Sequence, residues 1–145
     1  MQQTEGTRPA LADFEGRWRL EREIDDAKAG QRARFSGTAT FTREAAGGLL
    51  CDEAGTLILP GQPPLAAARR YLWRAEGGDI AVFFHDGRPF HLIAPGARPE
   101  AGHDCPPDLY QVRYDFRRWP EWRAEWRVSG RRKDYLMRST YARLV

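Results

Sequence analysis

The sequence has few of the features that mark membrane-spanning, secreted or disulfide-rich proteins. No apolar run approaches the roughly 20 residues that cross a bilayer. The first sixteen residues, MQQTEGTRPALADFEG, lack the basic and then apolar regions of a secretory signal. Cys51 and Cys105 are the only cysteines, so reduced thiols are expected rather than a disulfide framework. These absences predict a cytoplasmic protein without a membrane span.

Long blocks of one charge and catalytic signature motifs are also missing. The 23 Lys and Arg residues are interleaved with 20 Asp and Glu residues, for a net charge of +3. A nucleic-acid-binding protein is expected to show a basic face, so nucleic acid is not a favoured partner. The chain contains no Walker loop, dinucleotide fingerprint, G-x-S-x-G elbow or H-E-x-x-H helix. The enzyme classes that carry those signatures therefore lose support.

Alternation of apolar and polar residues with a period of two is abundant. In GRWRLEREI it places Trp18, Leu20 and Ile24 on one face and charged residues on the other. Similar runs continue to the C-terminus between Gly, Pro and Asp turn signals, giving about nine strands. One short helix is expected within RPALADFEG, residues 8–16. The longest irregular stretch is expected at residues 95–107, whose four prolines cannot serve in a central strand.

Aromatic residues dominate the covered faces of these predicted strands. Nearly every strand contributes, which suits one sheet wrapped around one interior, and closure removes exposed edges. We predict an all-β fold, a single antiparallel up-and-down β-barrel of eight to ten strands with a short N-terminal helix. It forms one domain over residues 1–145, with residues 1–8 as a flexible tail. The covered set is Trp18, Phe35, Phe41, Tyr71, Trp73, Phe84, Phe90, Tyr110, Tyr114, Phe116, Trp122, Trp126, Tyr135 and Tyr141.

Two groups of motifs carry a resemblance to known families. A short helix running into GRW, residues 16–18, resembles the opening of lipocalins and the wider calycin barrels. That resemblance implies a tryptophan at the closed end of the barrel, covered by a late arginine, Arg138 or Arg143. The pattern DGRPFH, HDCPPDLY and EWRVSGRRKDY resembles a bacterial domain family of unknown function, from Leu11 to Tyr141. The family resemblance implies a barrel and supplies no activity.

The alternation along the strands places four charged residues on the same covered face as the aromatic set. They are Arg22, Glu53, Arg69 and Lys133. An unpaired ion in an apolar interior costs several kcal/mol or more, so these groups must pair, meet water or meet a ligand. One interpretation is a structural plug, in which Arg22, Glu53 and Arg69 satisfy one another. The other is a cavity in which Arg22 and Arg69 bind an anionic or carbonyl-bearing ligand between tyrosine walls.

We favour a binding site for a small, partly polar or anionic molecule of unknown identity, with no cofactor assigned. A second copy of the chain, in a homodimer, is a further candidate partner. The alternative function is an isomerase, cyclase or lyase that uses the same cavity. The predicted ligand-binding residues are Arg22, Glu53, Arg69, Tyr71, Trp73, Tyr110, Tyr114, Trp126, Lys133 and Tyr135.

The segment FHDGRPFH, residues 84–91, suggests a secondary site. Histidine and cysteine are good metal ligands, but the spacing of His91, His103 and Cys105 matches no recognised zinc pattern. Haem ligation by His91 alone is a further alternative, and Asp86 is placed to orient His91 for general base catalysis. A three-residue hairpin turn is predicted, and it directs both His85 and His91 away from the cavity. The secondary-site residues are Asp86, His91, His103 and Cys105.

Overall fold

The computed structural model describes residues 7–145, which form ten strands after one short turn of 3-10 helix. This agrees with the predicted all-β fold of eight to ten strands, and the predicted N-terminal helix is the 3-10 turn at Leu11–Phe14. No helix within residues 7–145 is long and apolar enough to cross a membrane. The strands are β1 (Gly16–Asp26), β2 (Gln31–Arg43), β3 (Leu49–Ile58), β4 (Leu65–Glu76), β5 (Asp79–Phe84), β6 (Pro89–Ile93), β7 (Glu100–Cys105), β8 (Asp108–Asp115), β9 (Trp122–Ser129) and β10 (Asp134–Arg143).

All ten strands belong to one antiparallel sheet that curls into a nearly closed barrel. Their order is β6-β5-β4-β3-β2-β1-β10-β9-β8-β7, so the first and last strands pair in the middle of the sheet. Trp18 of β1 lies opposite Arg143 of β10 in that pairing. The sheet ends at β6 and β7, which lie side by side without a backbone ladder between them in the described part of the chain. The seam of the barrel is therefore between β6 and β7.

The segment expected to be irregular contains strand β7. Its prolines lie just outside the strand, with Pro99 before it and Pro106 after it. Proline lacks only the donor, and the Pro99 carbonyl still accepts a hydrogen bond from the Tyr114 amide at 2.9 Å. The prolines therefore flank the strand without preventing it, and the prediction of an irregular segment was wrong for Glu100–Cys105.

The predicted flexible tail lies mostly outside the described residues. Within them, Arg8 donates hydrogen bonds to the carbonyls of Ile93, at 2.6 Å, and Gly78, at 3.1 Å. The chain just before the 3-10 turn is thus attached to β6 and to the turn between β4 and β5.

The closed end of the barrel is built around Trp18 and the 3-10 turn. Trp18 is fully buried, and its indole N–H donates to the Phe14 carbonyl at 3.0 Å. The Arg143 guanidinium lies 3.9 Å from the Trp18 ring centroid and donates to the carbonyls of Asp13 and Glu15. Arg143, not Arg138, is therefore the late arginine implied by the calycin resemblance.

Gly16 makes this end possible. Its φ of +126° is in the left-handed region, and a Cβ there would lie 2.9 Å from Arg143 Nη1. The glycine of the GRW motif thus allows the sharp entry into β1 and the approach of the arginine.

The β2 and β3 backbones approach closely at Gly37 and Gly55, which are register partners. A Cβ on Gly37 would clash with the carbonyl oxygen of Ala54 and lie 2.7 Å from the Gly55 Cα. Backbone atoms cannot move aside as a flexible side chain can, so both positions require glycine.

Candidate functional site

A cavity occupies the barrel between the packed closed end and the opposite, open end. It forms a recess of about 620 Å³ that includes solvent at the open end, and its cavity volume is about 60 Å³. Its deep wall includes Trp122 and Tyr141, whose rings stack 3.7 Å apart between centroids. The lining residues are Arg22, Phe41, Cys51, Glu53, Arg69, Tyr71, Trp73, Val82, Phe90, His91, Tyr110, Tyr114, Trp122, Trp126, Tyr135, Met137 and Tyr141.

Arg22 and Glu53 form a buried ion pair on the cavity wall. Arg22 Nη2 lies 3.1 Å from Glu53 Oε1, and Arg22 Nε donates to Ser139 Oγ at 2.7 Å. The Tyr141 hydroxyl donates to Glu53 Oε2 at 2.8 Å and accepts from Arg22 Nη2 at 3.3 Å. Burial lowers the pKa of Arg22, but the interactions with Glu53, Tyr141 and Tyr71 together outweigh it, and the net shift is upward. The two charges therefore neutralise each other, as the structural-plug interpretation predicted for this pair, whereas Arg69, its third member, forms no ion pair with Glu53.

Three tyrosines and two cations surround the open end, which we call the mouth: Arg69, Tyr71, Tyr110, Lys133 and Tyr135. The Arg69 side chain is partly exposed and hydrogen-bonds to Tyr71. Partial burial lowers the pKa of Arg69, but the interactions with Tyr71 and Glu53 together outweigh it, and the net shift is upward. Lys133 Nζ donates to the Tyr110 hydroxyl at 2.8 Å and pairs with Asp108 at 3.1 Å. The mouth is thus polar, in contrast to the aromatic wall behind it.

Phe90 lies at the centre of the aromatic wall near the mouth. Its ring stacks on Phe84 at 4.3 Å and on Trp126 at 5.0 Å between centroids. The edge contact with His103, at 5.3 Å, crosses the seam from β6 to β7. Aromatic pairs of this kind contribute about 0.5–1.5 kcal/mol each beyond area burial, so they hold the seam together where no ladder does.

His91 is buried on the cavity wall, and the prediction that it faces away from the cavity was wrong. The register of β5 and β6 shifts between Val82 and Phe83, which places Val82 opposite His91 and Phe83 opposite Pro89. A one-residue shift moves a side chain to the other face of a sheet. His85 remains exposed, as expected.

The His91 imidazole is neutral in the folded protein. Its Nε2 lies 2.8 Å from the Tyr114 hydroxyl, while Nδ1 has no hydrogen-bond partner among the described residues. Burial, with a smaller contribution from His103, lowers the pKa of His91 to about 3. Iron ligation through Nε2 would require loss of the bond to Tyr114, which weighs against the haem alternative.

Trp122 provides a second unpartnered nitrogen. Its side chain is 1% exposed, and its indole N–H finds no acceptor within residues 7–145. Buried polar groups are almost always hydrogen-bonded, so each exception needs an explanation. Trp122 and His91 both line the cavity, which places two such exceptions on its wall.

A smaller cavity lies on the other side of the Arg22 and Glu53 pair. Its recess measures about 370 Å³ together with the adjoining solvent, its cavity volume is also about 60 Å³, and its lining includes the apolar side chains of Ile24, Phe35 and Leu57. Four residues border both cavities: Arg22, Glu53, Arg69 and Met137. The buried ion pair and Met137 therefore divide the interior.

The structure brings nine of the ten predicted ligand-binding residues to the larger cavity. They are Arg22, Glu53, Arg69, Tyr71, Trp73, Tyr110, Tyr114, Trp126 and Tyr135. Lys133 does not line it, because it lies in the turn before β10, where strand parity does not apply, and its side chain is 41% exposed.

The predicted secondary site is not assembled. Asp86 is exposed in the hairpin turn and pairs with Arg88 at 2.7 Å, so it does not orient His91. Cys105 is exposed at the end of β7, whereas His103 packs against Phe90. Among the described residues, no three His, Cys, Asp or Glu side chains lie together as a metal site.

Sequence reasoning did not select several residues that the structure places beside the predicted ones. Ser139 and Tyr141 complete the ion-pair network, and both share the parity of Tyr135 and Met137 on β10. Parity was therefore a usable signal for them. Phe90 and Trp122 were predicted to face inward but were not selected as binding residues.

Comparison with known proteins is consistent with this fold. Over residues 14–143 the chain matches the family of unknown function DUF6314. No curated protein matches it. A protein of unknown function from the DUF3598 family of Nostoc punctiforme is similar with a TM-score of 0.62 at 12% identity, covering 95% of this chain and 51% of that chain. The present chain thus spans about half the length of that protein.

A second solved structure matches over nearly the full length of both chains. The S-type phycobiliprotein lyase from Guillardia theta is similar with a TM-score of 0.60 at 12% identity, covering 99% of each chain. At this identity the likeness shows the fold alone, because one fold hosts many functions. The family match, in contrast, covers most of the chain, and the protein therefore belongs to the family of unknown function DUF6314.

Proposed function

We propose that this barrel binds a small molecule with a flat apolar body and at least one hydrogen-bonding group. The observation that carries the proposal is an aromatic cavity, open at one end, with two unpartnered buried nitrogens on its wall, His91 Nδ1 and Trp122 Nε1. Leaving a buried polar group unpaired costs about 1–3 kcal/mol. A ligand oxygen near the Trp122 N–H would remove such a cost.

The protonation states of the wall support binding over catalysis. Burial raises the pKa of the Cys51 thiol well above its usual value, so the thiolate needed of a nucleophile is disfavoured. The pKa of His91, about 3, is far from the value near neutrality that suits a general base. Burial also raises the pKa values of Tyr114 and Tyr141. The wall therefore offers neutral hydrogen-bonding groups beside one neutralised ion pair.

The test is a titration with N-phenyl-1-naphthylamine, an uncharged aromatic probe whose fluorescence rises in apolar surroundings. Met137→Phe adds a ring at the boundary of both cavities and is expected to weaken probe binding at least tenfold. Leu136→Phe is the matched control, because Leu136 precedes Met137 on β10 and does not line either cavity. Equal affinities for the wild type and both variants would refute the proposal.

The second candidate is an enzyme that uses the same cavity, and the similarity in fold to a lyase favours it. Native mass spectrometry of the purified protein beside its denatured mass identifies a retained molecule. Incubating the protein with that molecule then distinguishes the candidates, since a binder returns it unchanged and an enzyme converts it. Conversion that is lost in His91→Phe while binding is retained would favour the enzyme.

A further inference from the structure

We infer that the cavity selects ligands with a single negative charge, a carboxylate held by Arg69 at the mouth while the apolar body lies against the aromatic wall. This inference rests on the proposed ligand-binding function. It names the charge of the ligand, its orientation and the residue that determines specificity.

The charges around the cavity do not cancel completely. Arg22 is neutralised by Glu53, with an N to O distance of 3.1 Å. Lys133 is neutralised by Asp108, also at 3.1 Å. Among residues 7–145, Arg69 is the cavity-lining cation that forms no ion pair with a carboxylate. One positive charge therefore remains uncompensated at the mouth.

Glu53 pairs with Arg22 and does not form an ion pair with Arg69. The two residues lie directly opposite each other in the pairing of β3 with β4. Cross-strand neighbours of opposite charge normally pair. Here Glu53 Oε1 is bound by Arg22 and Oε2 accepts from Tyr141, so both carboxylate oxygens are engaged within the barrel. The buried network thus leaves Arg69 without a carboxylate partner, and its guanidinium retains N–H donors for a ligand beside the one that bonds Tyr71.

The hydrogen-bonding groups of the mouth match a carboxylate. A guanidinium presents paired N–H donors that match the two oxygens of a carboxylate. Tyr71 and Tyr135 lie close enough to Arg69 to feel its charge, and their hydroxyls add further hydrogen-bonding groups. A second negative charge placed deeper would meet Arg22, which Glu53 already neutralises, and neutral aromatic rings. These groups supply no net positive charge to compensate it. The site therefore suits a monoanion with its charge at the open end.

The experiment compares 2-naphthoate with 2-naphthamide, which has nearly the same shape without the charge. Each compound displaces N-phenyl-1-naphthylamine from the wild-type protein and from Arg69→Met. We expect the wild type to prefer naphthoate at least tenfold, and Arg69→Met to lose that preference while its affinity for the amide changes less than twofold. Arg69→Lys keeps the charge and should retain most of the preference.

A control variant separates the site from general surface charge. Arg70→Met removes the neighbouring arginine of β4, which pairs with Asp52 at 2.6 Å and does not line the cavity. It should not change the preference for naphthoate more than threefold.

A tenfold loss in Arg70→Met would overturn the inference, because it would assign the selectivity to general surface charge. Equal weakening of both naphthyl compounds in Arg69→Met would also overturn it, since Arg69 would then act through shape alone. Both outcomes leave the proposed binding function intact. Failure of the wild type to bind the naphthylamine probe would instead reject the proposed function, and this inference with it.

Discussion

Replacing Glu53 with glutamine is expected to cost far more stability than the same replacement of Glu125. The two carboxylates form ion pairs of similar length, 3.1 Å from Glu53 to Arg22 and 3.2 Å from Glu125 to Arg138. The side chains of Arg22 and Glu53 are 9% and 8% exposed, whereas those of Arg138 and Glu125 are 58% and 42% exposed. Burial is therefore the main difference between the two pairs.

The expected magnitude follows from this difference. Glu53→Gln leaves the guanidinium of Arg22 buried without a carboxylate, and breaking a buried pair in this way costs about 3–5 kcal/mol. An exposed pair contributes about 0–1 kcal/mol, because water and salt screen it. At about 4 °C per kcal/mol for a chain of this size, Tm should fall by about 12–20 °C for Glu53→Gln and by less than about 4 °C for Glu125→Gln.

The assay is urea unfolding followed by tryptophan fluorescence, with thermal melts for Tm. A double-mutant cycle combines Glu53→Gln with Arg22→Met. The loss of unfolding free energy in the double variant should be about 2 kcal/mol smaller than the sum of the losses in the two single variants. Equal losses for Glu53→Gln and Glu125→Gln, or additive single losses in the cycle, would refute the assignment of this pair as a structural element.

The remaining predictions concern His91 and Gly37. Burial and His103 lower the pKa of His91 to about 3, so below pH 6.5 the unfolded chain takes up a proton that the folded protein does not. The free energy of unfolding should therefore fall with decreasing pH from about 6.5 toward 3, by up to about 1.4 kcal/mol per pH unit. In urea unfolding between pH 7 and 5, His91→Phe should remove this contribution to the dependence of the unfolding free energy on pH, and His85→Asn should keep it. An unchanged pH dependence in His91→Phe would contradict its assignment to His91. Gly37→Ala should cost at least about 2 kcal/mol in the same assay, because its Cβ clashes with the β3 backbone. Gly102→Ala is the control, since its nearest contact is an ordinary 3.6 Å, and equal losses would show that the close approach does not matter.

Much of the barrel was predictable because strand parity is a local property. The alternation in GRWRLEREI predicted that Trp18 and Leu20 face inward and Arg17 and Arg19 outward, as they do. The GRW motif predicted the closed end but left the choice between Arg138 and Arg143 open. That choice depends on where β10 ends, since Arg143 lies opposite Trp18 in the register of β1 with β10.

The sequence predicted most of the residues that line the candidate site, but it did not predict the hydrogen bonds and ion pairs between them. Parity placed Arg22 and Glu53 on the same face, and nothing in the sequence indicated that both oxygens of Glu53 would be engaged. Tyr141, which donates to Glu53, is 88 residues away along the chain. Only the order of strands around the barrel brings them together.

The amino-acid sequence is enough to predict that the chain forms strands and which side chains face the interior, because both follow from an alternation with a period of two. It also predicts that charges must be accommodated in the interior, because burying an unpaired ion is costly. The tertiary structure alone decided that His91 lies inside, because an irregularity between Val82 and Phe83 moves it to the other face. It also decided that Arg22 is neutralised while Arg69 is not. Both outcomes depend on register and on contacts between distant strands, which local sequence does not encode.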